Sequence, residues 1–306
     1  MAGPDPAVAD VRRAVRRVLA TPVTYAAVSG GADSLALLAA LAWEAPRHDV
    51  TARCVTVDHG LRAGSAEQAA RVVARAHGLG VETTVVTVTP DGTDEDAARR
   101  ARYAALDALP EGDVLLGHTR DDQAEQVLLG LARGSGARSL SGMPERRGRY
   151  VRPFLDLPRE TTEAACAALG LEPWSDPANA DLRYARNRAR HVALPALEEA
   201  LGPGVRDALA RTAALLRDDA DLLDEVAMAA YAGVGLDANA LADLPPAIRR
   251  RVLLRAARDA GATDLSAGHV AAIDALLTNW HGQGPVDLPG GLVAVRSCDT
   301  LAFRTP

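Results

Sequence analysis

The sequence contains no lysine, so all 34 of its basic residues are arginine. That absence removes whole mechanisms. A P-loop nucleotidase needs the lysine of its phosphate loop, and Schiff-base catalysis or a lysyl-AMP enzyme intermediate needs an ε-amine. Cysteine is nearly as scarce. Cys54, Cys166 and Cys298 form an odd set with no C-x-x-C and no ligand-like clustering, which argues against a disulfide framework, a zinc site or an iron–sulfur cluster and fits a reducing, cytoplasmic setting. Long apolar runs are also missing: the stretch from Leu35 to Trp43 falls well short of the roughly 20 residues needed to cross a bilayer, so no membrane partner is expected. Arg12, Arg13, Arg16 and Arg17 are followed by no apolar h-region or small-residue cleavage site, which predicts an amphipathic opening helix rather than a secretory signal. A net charge of -6 lacks the basic excess of a general nucleic-acid binder, so any RNA contact has to come from local arginine clusters.

What is present is a chain of 306 residues, 48% of them hydrophobic, too apolar for disorder and long enough for one large α/β core plus a smaller second domain. The first half alternates short β-branched runs (VTYAAV, TARCVTV, ETTVVTV, DVLLG) with helical patterns beginning near Asp33, Ser65, Asp94 and Thr119. This predicts a parallel, doubly wound sheet with crossover helices, whose ligands collect at the carboxyl ends of the strands. From Gly134 to Tyr150 the pattern breaks into a Gly- and Arg-rich loop. A helix near Thr161 to Leu169 and the polar segment WSDPANADLRYARNRAR follow, an excursion that reads as functional rather than as a linker. Beyond Leu197 the sequence turns helical, over Val205 to Tyr231, Pro246 to Ala260 and Ser266 to Asn279, and it ends in two or three short strands around a Gly-Gly turn. The expected division is residues 1–197 as the α/β domain and 198–306 as a mainly helical accessory domain closed by a short β-hairpin.

The strongest chemical signal is SGGADS, comprising Ser29, Gly30, Gly31, Ala32, Asp33 and Ser34, placed directly after a strand and before a helix. Gly30 and Gly31 permit backbone angles that let successive amides turn toward an anion at the positive end of a helix, and Ser29 and Ser34 add hydroxyl donors. Asp33 would repel a phosphate unless a cation stood between them, so its presence implies magnesium. The alternative is an ordinary Gly-Gly turn with an Asp/Ser helix cap. At the end of the second strand VDHGLR offers Val57, Asp58 and His59 to the adenosine part of a nucleotide, and ARRARYAAL places Arg99 and Arg102 on one helical face. The fourth strand opens into GHTRDDQAEQ, where His118, Asp121, Asp122 and Glu125 cluster. Asp122 and Glu125, three apart, share a helical face and could hold a cationic amine, while Asp121 could help a metal. Capping of the helix N-terminus by Asp121 or Asp122 is the alternative, but His118 and the following RGSG loop add polar groups that a cap does not need. Arg183, Arg186, Arg188 and Arg190, with Arg146, Arg147 and Arg149, form the densest basic segments near the predicted site and suit backbone phosphates and an unstacked base; a solvated, salt-bridged surface is the alternative.

SGGADS resembles the SGGxDS pyrophosphate loop of the N-type ATP pyrophosphatases (the PP-loop superfamily, with an adenine nucleotide alpha hydrolase-like fold). The set VDHGLR, ARxxRY, GHxxDDQAExxLL, RGSG (from Arg133), GM (Gly142 and Met143) and DPxN…RNxxR, in that order, resembles the tRNA(Ile)-lysidine synthetases. One departure is Ser139, where that family usually has glycine before Leu140. The resemblance implies that ATP is split to AMP and pyrophosphate with magnesium held at Asp33 and Asp121. It implies that the wobble cytidine of a tRNA(Ile) with a CAU anticodon is adenylated at its 2-position oxygen, and that free L-lysine then displaces AMP. Asp33, His118, Asp122 and Glu125 would be catalytic, Asp122 and Glu125 would bind the lysine, and Arg133 would join the other arginines on tRNA. The chain would be a monomer or homodimer. The rival readings are another PP-loop tRNA enzyme such as a thiolase, an amide-forming relative acting on a small acid, and a non-catalytic nucleotide- or RNA-binding module.

Overall fold

The structure, a computed structural model, describes residues 3–58, 60, 64–89, 91–92 and 95–305. They fall into two compact units, Met1–Ala214 and Leu215–Pro306.

In the first unit, helix α1 (Pro6–Val18) leads to strand β1 (Val23–Ala27), and α2 (Ala32–Glu44) connects it to β2 (Thr51–Asp58). Helix α3 (Ser65–Gly78), β3 (Glu82–Thr87), α4 (Glu95–Asp107) and β4 (Asp113–Leu116) continue the alternation, followed by α5 (Arg120–Ala132) and the single turn α6 (Ala137–Leu140). The strands stand in the order β3-β2-β1-β4-β6-β5. All neighbours are parallel except the last pair, an antiparallel hairpin of β5 (Arg146–Arg147) and β6 (Tyr150–Val151). That hairpin lies inside the stretch expected to be loop. Its strands are two residues each, too short for any alternation to register in sequence. Helix α7 (Arg159–Ala168) follows, then α8 (Ala185–Arg188), a π-helical turn (Ala189–Ala193) and α9 (Leu194–Leu201).

The core explains the pattern. Helix α2 is apolar nearly all round and is buried from Ser34 to Leu41, as a helix must be when it is covered on both sides. Helix α1 is amphipathic as expected: Asp5 caps it by accepting from the Ala7 amide, Val8, Val11, Val15 and Val18 face inward, and Arg13, Arg16 and Arg17 remain outside. Phe154, Leu37, Leu38, Leu41 and Leu115 are fully buried between sheet and helices.

Helix α10 (Val205–Val234) contains the point where the units divide. Its first turns belong to the α/β unit because Arg206 and Asp207 pair with Asp121 and Arg120 of α5, at 3.4 and 3.0 Å. The second unit holds α11 (Ala238–Asp243), α12 (Pro246–Asp259), α13 (Ala267–Thr278) and an antiparallel sheet of β7 (Val286–Leu288), β8 (Leu292–Ser297) and β9 (Thr300–Arg304). Gly290 and Gly291 both have positive φ at the β7–β8 turn, the geometry that a Gly-Gly hairpin supplies. Its core is formed by Leu241, Leu253, Ile273, Leu276 and Leu301.

Candidate active site

β1 lies between β2 and β4. The connections leave β1 toward β2 on one side and return to β4 on the other, so the crevice between the carboxyl ends of β1 and β4 is the topological switch point of the sheet. Two segments enter that crevice: Ser29–Asp33 from β1, and Gly117–Asp122 from β4.

The Ser29–Ser34 loop is closed by one hydroxyl. Ser34 Oγ accepts from the amides of Ser29 and Gly30 at 3.3 and 3.1 Å and donates to the Gly31 carbonyl at 2.9 Å. Gly30 has φ +92, in the region that favours glycine. Gly31 is the N-cap of α2 and brings no side-chain cap. The first-turn amides of α2, which have no intrahelical acceptor, are therefore available to an anion at the positive end of the helix dipole. The Asp/Ser side-chain cap weighed for this turn is not formed.

Arg159 is the hub of the site, and sequence reasoning missed it. Its guanidinium lies 3.4 Å from Asp33, 3.0 Å from Asp122 and 3.6 Å from Glu125, and its backbone amide donates to Asp121 at 2.9 Å. One residue thus touches all four predicted carboxylates. A signal for it exists in the sequence: Pro158-Arg159 starts a helix, and a cation in a first turn opposes the helix dipole unless acidic groups face it. Asp33 also accepts from the Thr162 hydroxyl of α7. Burial raises the Asp33 pKa, against the opposing pull of Arg159 and that hydroxyl.

Asp122 serves the capping role weighed for it, and its second oxygen is engaged by arginines. Its Oδ2 accepts from the amide and hydroxyl of Thr119 at 2.8 and 3.0 Å, completing a capping box at the start of α5. Its Oδ1 meets Arg159, Arg186 and Arg190 at 3.0, 3.0 and 3.1 Å. Burial alone would raise its pKa, but Arg186 and Arg159 outweigh it and hold the carboxyl well below the usual range. Glu125, almost fully buried, accepts from Arg186 Nε at 2.8 Å and Arg190 Nε at 2.6 Å.

Arg186 and Arg190, read from sequence as RNA contacts, therefore turn inward onto the carboxylates read as the lysine site. Arg190 itself lies in the π-helical turn Ala189–Ala193, and such turns concentrate at functional sites. The other arginines lie elsewhere. Arg183 pairs with Asp181 at 2.7 Å, and Arg188 donates to the carbonyls of Leu182 and Arg183. Arg146 makes a two-pronged pair with Asp113 at 2.8 and 3.0 Å, while Arg147 and the α5-terminal Arg133 are exposed. Arg149 is spent on the carbonyls of Gly112, Leu109 and Pro110.

His118 stands at the end of β4. Burial pushes its pKa down to about 3, Asp122 opposes the shift, and Arg186, Arg152 and Arg102 add to it. The ring is neutral at physiological pH, and its buried Nδ1 has no hydrogen-bond partner among the described residues. Val57 and Asp58 end β2, with Asp58 accepting from the Gly60 amide at 2.9 Å. His59 lies outside the described residues, as do Leu61 and Arg62 of the same motif and Asp94 ahead of α4.

Among the described residues no three histidine, cysteine or acidic side chains group as a metal site. The oxygens of Asp33 already face Thr162 and Arg159, and those of Asp121 face the Arg159 amide and Arg206, so a magnesium ion held there would draw most of its ligands from phosphate oxygens and water, the usual habit of that ion.

The PP-loop domain family matches residues 10–197, and the TilS substrate binding domain family matches residues 236–301. The chain is 52% identical to a tRNA(Ile)-lysidine synthase of Streptomyces coelicolor over 99% of both chains, and 56% identical to one of Thermobifida fusca over 95% of both. The chain belongs to the tRNA(Ile)-lysidine synthase family. Among solved structures, the U34-tRNA thiolase NcsA from Methanococcus maripaludis shares the fold with a TM-score of 0.55 and 19% identity, covering 69% of this chain and 79% of that one. For a lysidine synthase family member, the motifs marked in sequence are accordingly those of the PP-loop region, and the second unit carries the match to the substrate binding domain.

Proposed function

We propose that this protein is an ATP-dependent ligase that joins free L-lysine to the 2-position of the wobble cytidine of tRNA(Ile) with a CAU anticodon, forming lysidine through an adenylated tRNA, with AMP and pyrophosphate as by-products. The observation that carries the reading is the convergence of two unlike sites on adjacent strand ends: an anion-binding loop at β1 and a buried acidic pair at β4.

The chemistry needs both. The 2-position oxygen of cytosine is a poor leaving group until it is adenylated, and adenylation needs a place for pyrophosphate. Ser29 to Ser34 would provide that place, with Val57 and Asp58 at the end of β2 serving the adenosine and Arg102 the reacting phosphate. Asp33 and Asp121 would hold magnesium, which supplies charge neutralisation on the phosphate oxygens. Arg159 keeps the Asp33 carboxylate oriented.

The second half requires an amine that starts near pKa ~10.4 and must lose a proton to attack. Asp122 and Glu125 are the groups that orient it, and a lysine ammonium has to compete there with Arg186 and Arg190. Neutral His118, at the same strand end, is a hydrogen-bonding partner for the base rather than a cation. Exposed Arg133, Arg146, Arg147, Arg183 and Arg188 suit RNA phosphates.

A thiolase reading is less well supported, because Cys54 on β2 and Cys166 on α7 are buried and Cys298 is in the second unit. The test is incorporation of labelled lysine into tRNA(Ile) bearing CAU, with ATP and magnesium, against tRNA(Met) as control. Label in the isoleucine tRNA alone is expected. Pyrophosphate release that depends on tRNA but leaves no label would redirect the reading to another nucleophile, and neither signal would leave a binding module.

A further inference from the structure

Gln68 lies on α3, outside every motif that marks the site in sequence, and is only 8% exposed. Its Nε2 donates to the Ser29 carbonyl at 3.2 Å. The same nitrogen stands where a side chain on Gly30 would begin, since a Cβ there would lie 1.9 Å from it. The amide of Trp174, in the segment after α7, donates to the Gly30 carbonyl at 2.9 Å.

These bonds fix two successive peptide planes. In the Ser29–Gly30 unit the carbonyl is held by Gln68 and the N–H by Ser34 Oγ at 3.1 Å. In the Gly30–Gly31 unit the carbonyl is held by Trp174, and because a trans peptide is planar its N–H must point the opposite way. The direction of the Gly31 amide, one of the anion donors at the helix start, is therefore set by groups outside the loop.

Packing alone does not account for an amide at this position. Gln68 Oε1 is buried with no partner among the described residues, which opposes folding, whereas methionine would fill a similar volume without burying an unpaired acceptor.

We propose that Gln68 is a positioning residue for ATP, fixing the Ser29–Gly30 peptide at the start of the loop so that the next amide, that of Gly31, already faces the anion site before the nucleotide arrives. The inference rests on the reading of Ser29–Ser34 as the ATP loop. Pre-organisation of this kind lowers the ordering cost of binding and so appears in affinity.

The test is calorimetric titration of ATP with magnesium into the full-length wild type and Gln68→Met, paired with thermal unfolding of each. Gln68→Met is expected to weaken ATP binding about tenfold while its unfolding midpoint stays equal or rises, a split that a merely structural residue would not give. Gln68→Glu, which keeps the shape but replaces the donor with a carboxylate, is expected to weaken binding further. Equal affinity in wild type and Gln68→Met overturns the inference, and so does a loss of affinity that only follows a fall in the midpoint of both variants. A wild type that binds no ATP overturns the reading of the loop instead.

Discussion

Arg190 Nε donates to Glu125 Oε1 at 2.6 Å, joining residues 65 positions apart, and Arg186 Nε reaches the other oxygen of the same carboxylate at 2.8 Å. Removing Glu125 leaves two part-buried guanidinium groups with Asp122 as their shared acidic partner. Breaking such a pair costs about 3–5 kcal/mol, so Glu125→Ala should lower the urea midpoint clearly. Glu125→Gln keeps the shape and one acceptor. It should retain tRNA-dependent pyrophosphate release while lysine incorporation falls by at least about tenfold, a loss near 1.4 kcal/mol. Wild-type lysine use by Glu125→Gln would remove that residue from the lysine site.

Gly117 leaves β4 against the backbone of α2. A Cβ on it would meet the carbonyl carbon and oxygen of Asp33 at 3.0 Å and the Ser34 nitrogen at 3.2 Å, contacts that a helix start cannot yield cheaply. Gly117→Ala should displace Asp33 and cut ATP cleavage by on the order of 10²-fold, the scale of a misplaced catalytic group. Pyrophosphate release at saturating tRNA is the readout. An unchanged rate would mean that Asp33 need not be held where it is.

His118 binds its proton only near pH 3 in the folded state, against about 6.5 in an unfolded chain. Between those values the unfolded state carries more protons. The contribution is fully present above about pH 6.5 and is lost as pH falls through that window, by up to about 1.4 kcal/mol per pH unit. His118→Asn removes it. Urea unfolding at about pH 7 and about pH 5 should therefore show a smaller acid loss in the variant. Equal losses would show that the ring is not kept neutral.

In the second unit Arg249 and Asp274 form a buried pair at 2.5 Å, both under 10% exposed, and Arg250 meets the other oxygen of Asp274 at 3.0 Å. Asp274→Ala should destabilise that unit by about 3 kcal/mol or more, while Arg249→Met with Asp274→Leu should recover most of it. Thermal unfolding of the single and double variants decides this, and a fully additive pair would contradict it.

The sequence by itself determined the parallel α/β unit, the helical region after it and the Gly-Gly hairpin at the end, because periodicity and turn chemistry are local properties written over ten or more residues. It also located the glycine turn Ser29–Ser34 between a strand and a helix, since that placement is written in consecutive residues. Tertiary structure alone decided the partners of the acidic pair. Arg186 and Arg190 read as solvent-facing cations until the chain after α7 returns to α5, and Arg159 sits in a segment whose pattern suggests only a helix start. Gln68 has no local signature at all. Its role follows from α3 packing over Gly30, a contact between residues 38 positions apart (68 minus 30) that only the fold creates. Long-range pairing of charges depends on where burial strips them of water, and burial is a property of the assembled sheet and helices rather than of any one stretch of chain.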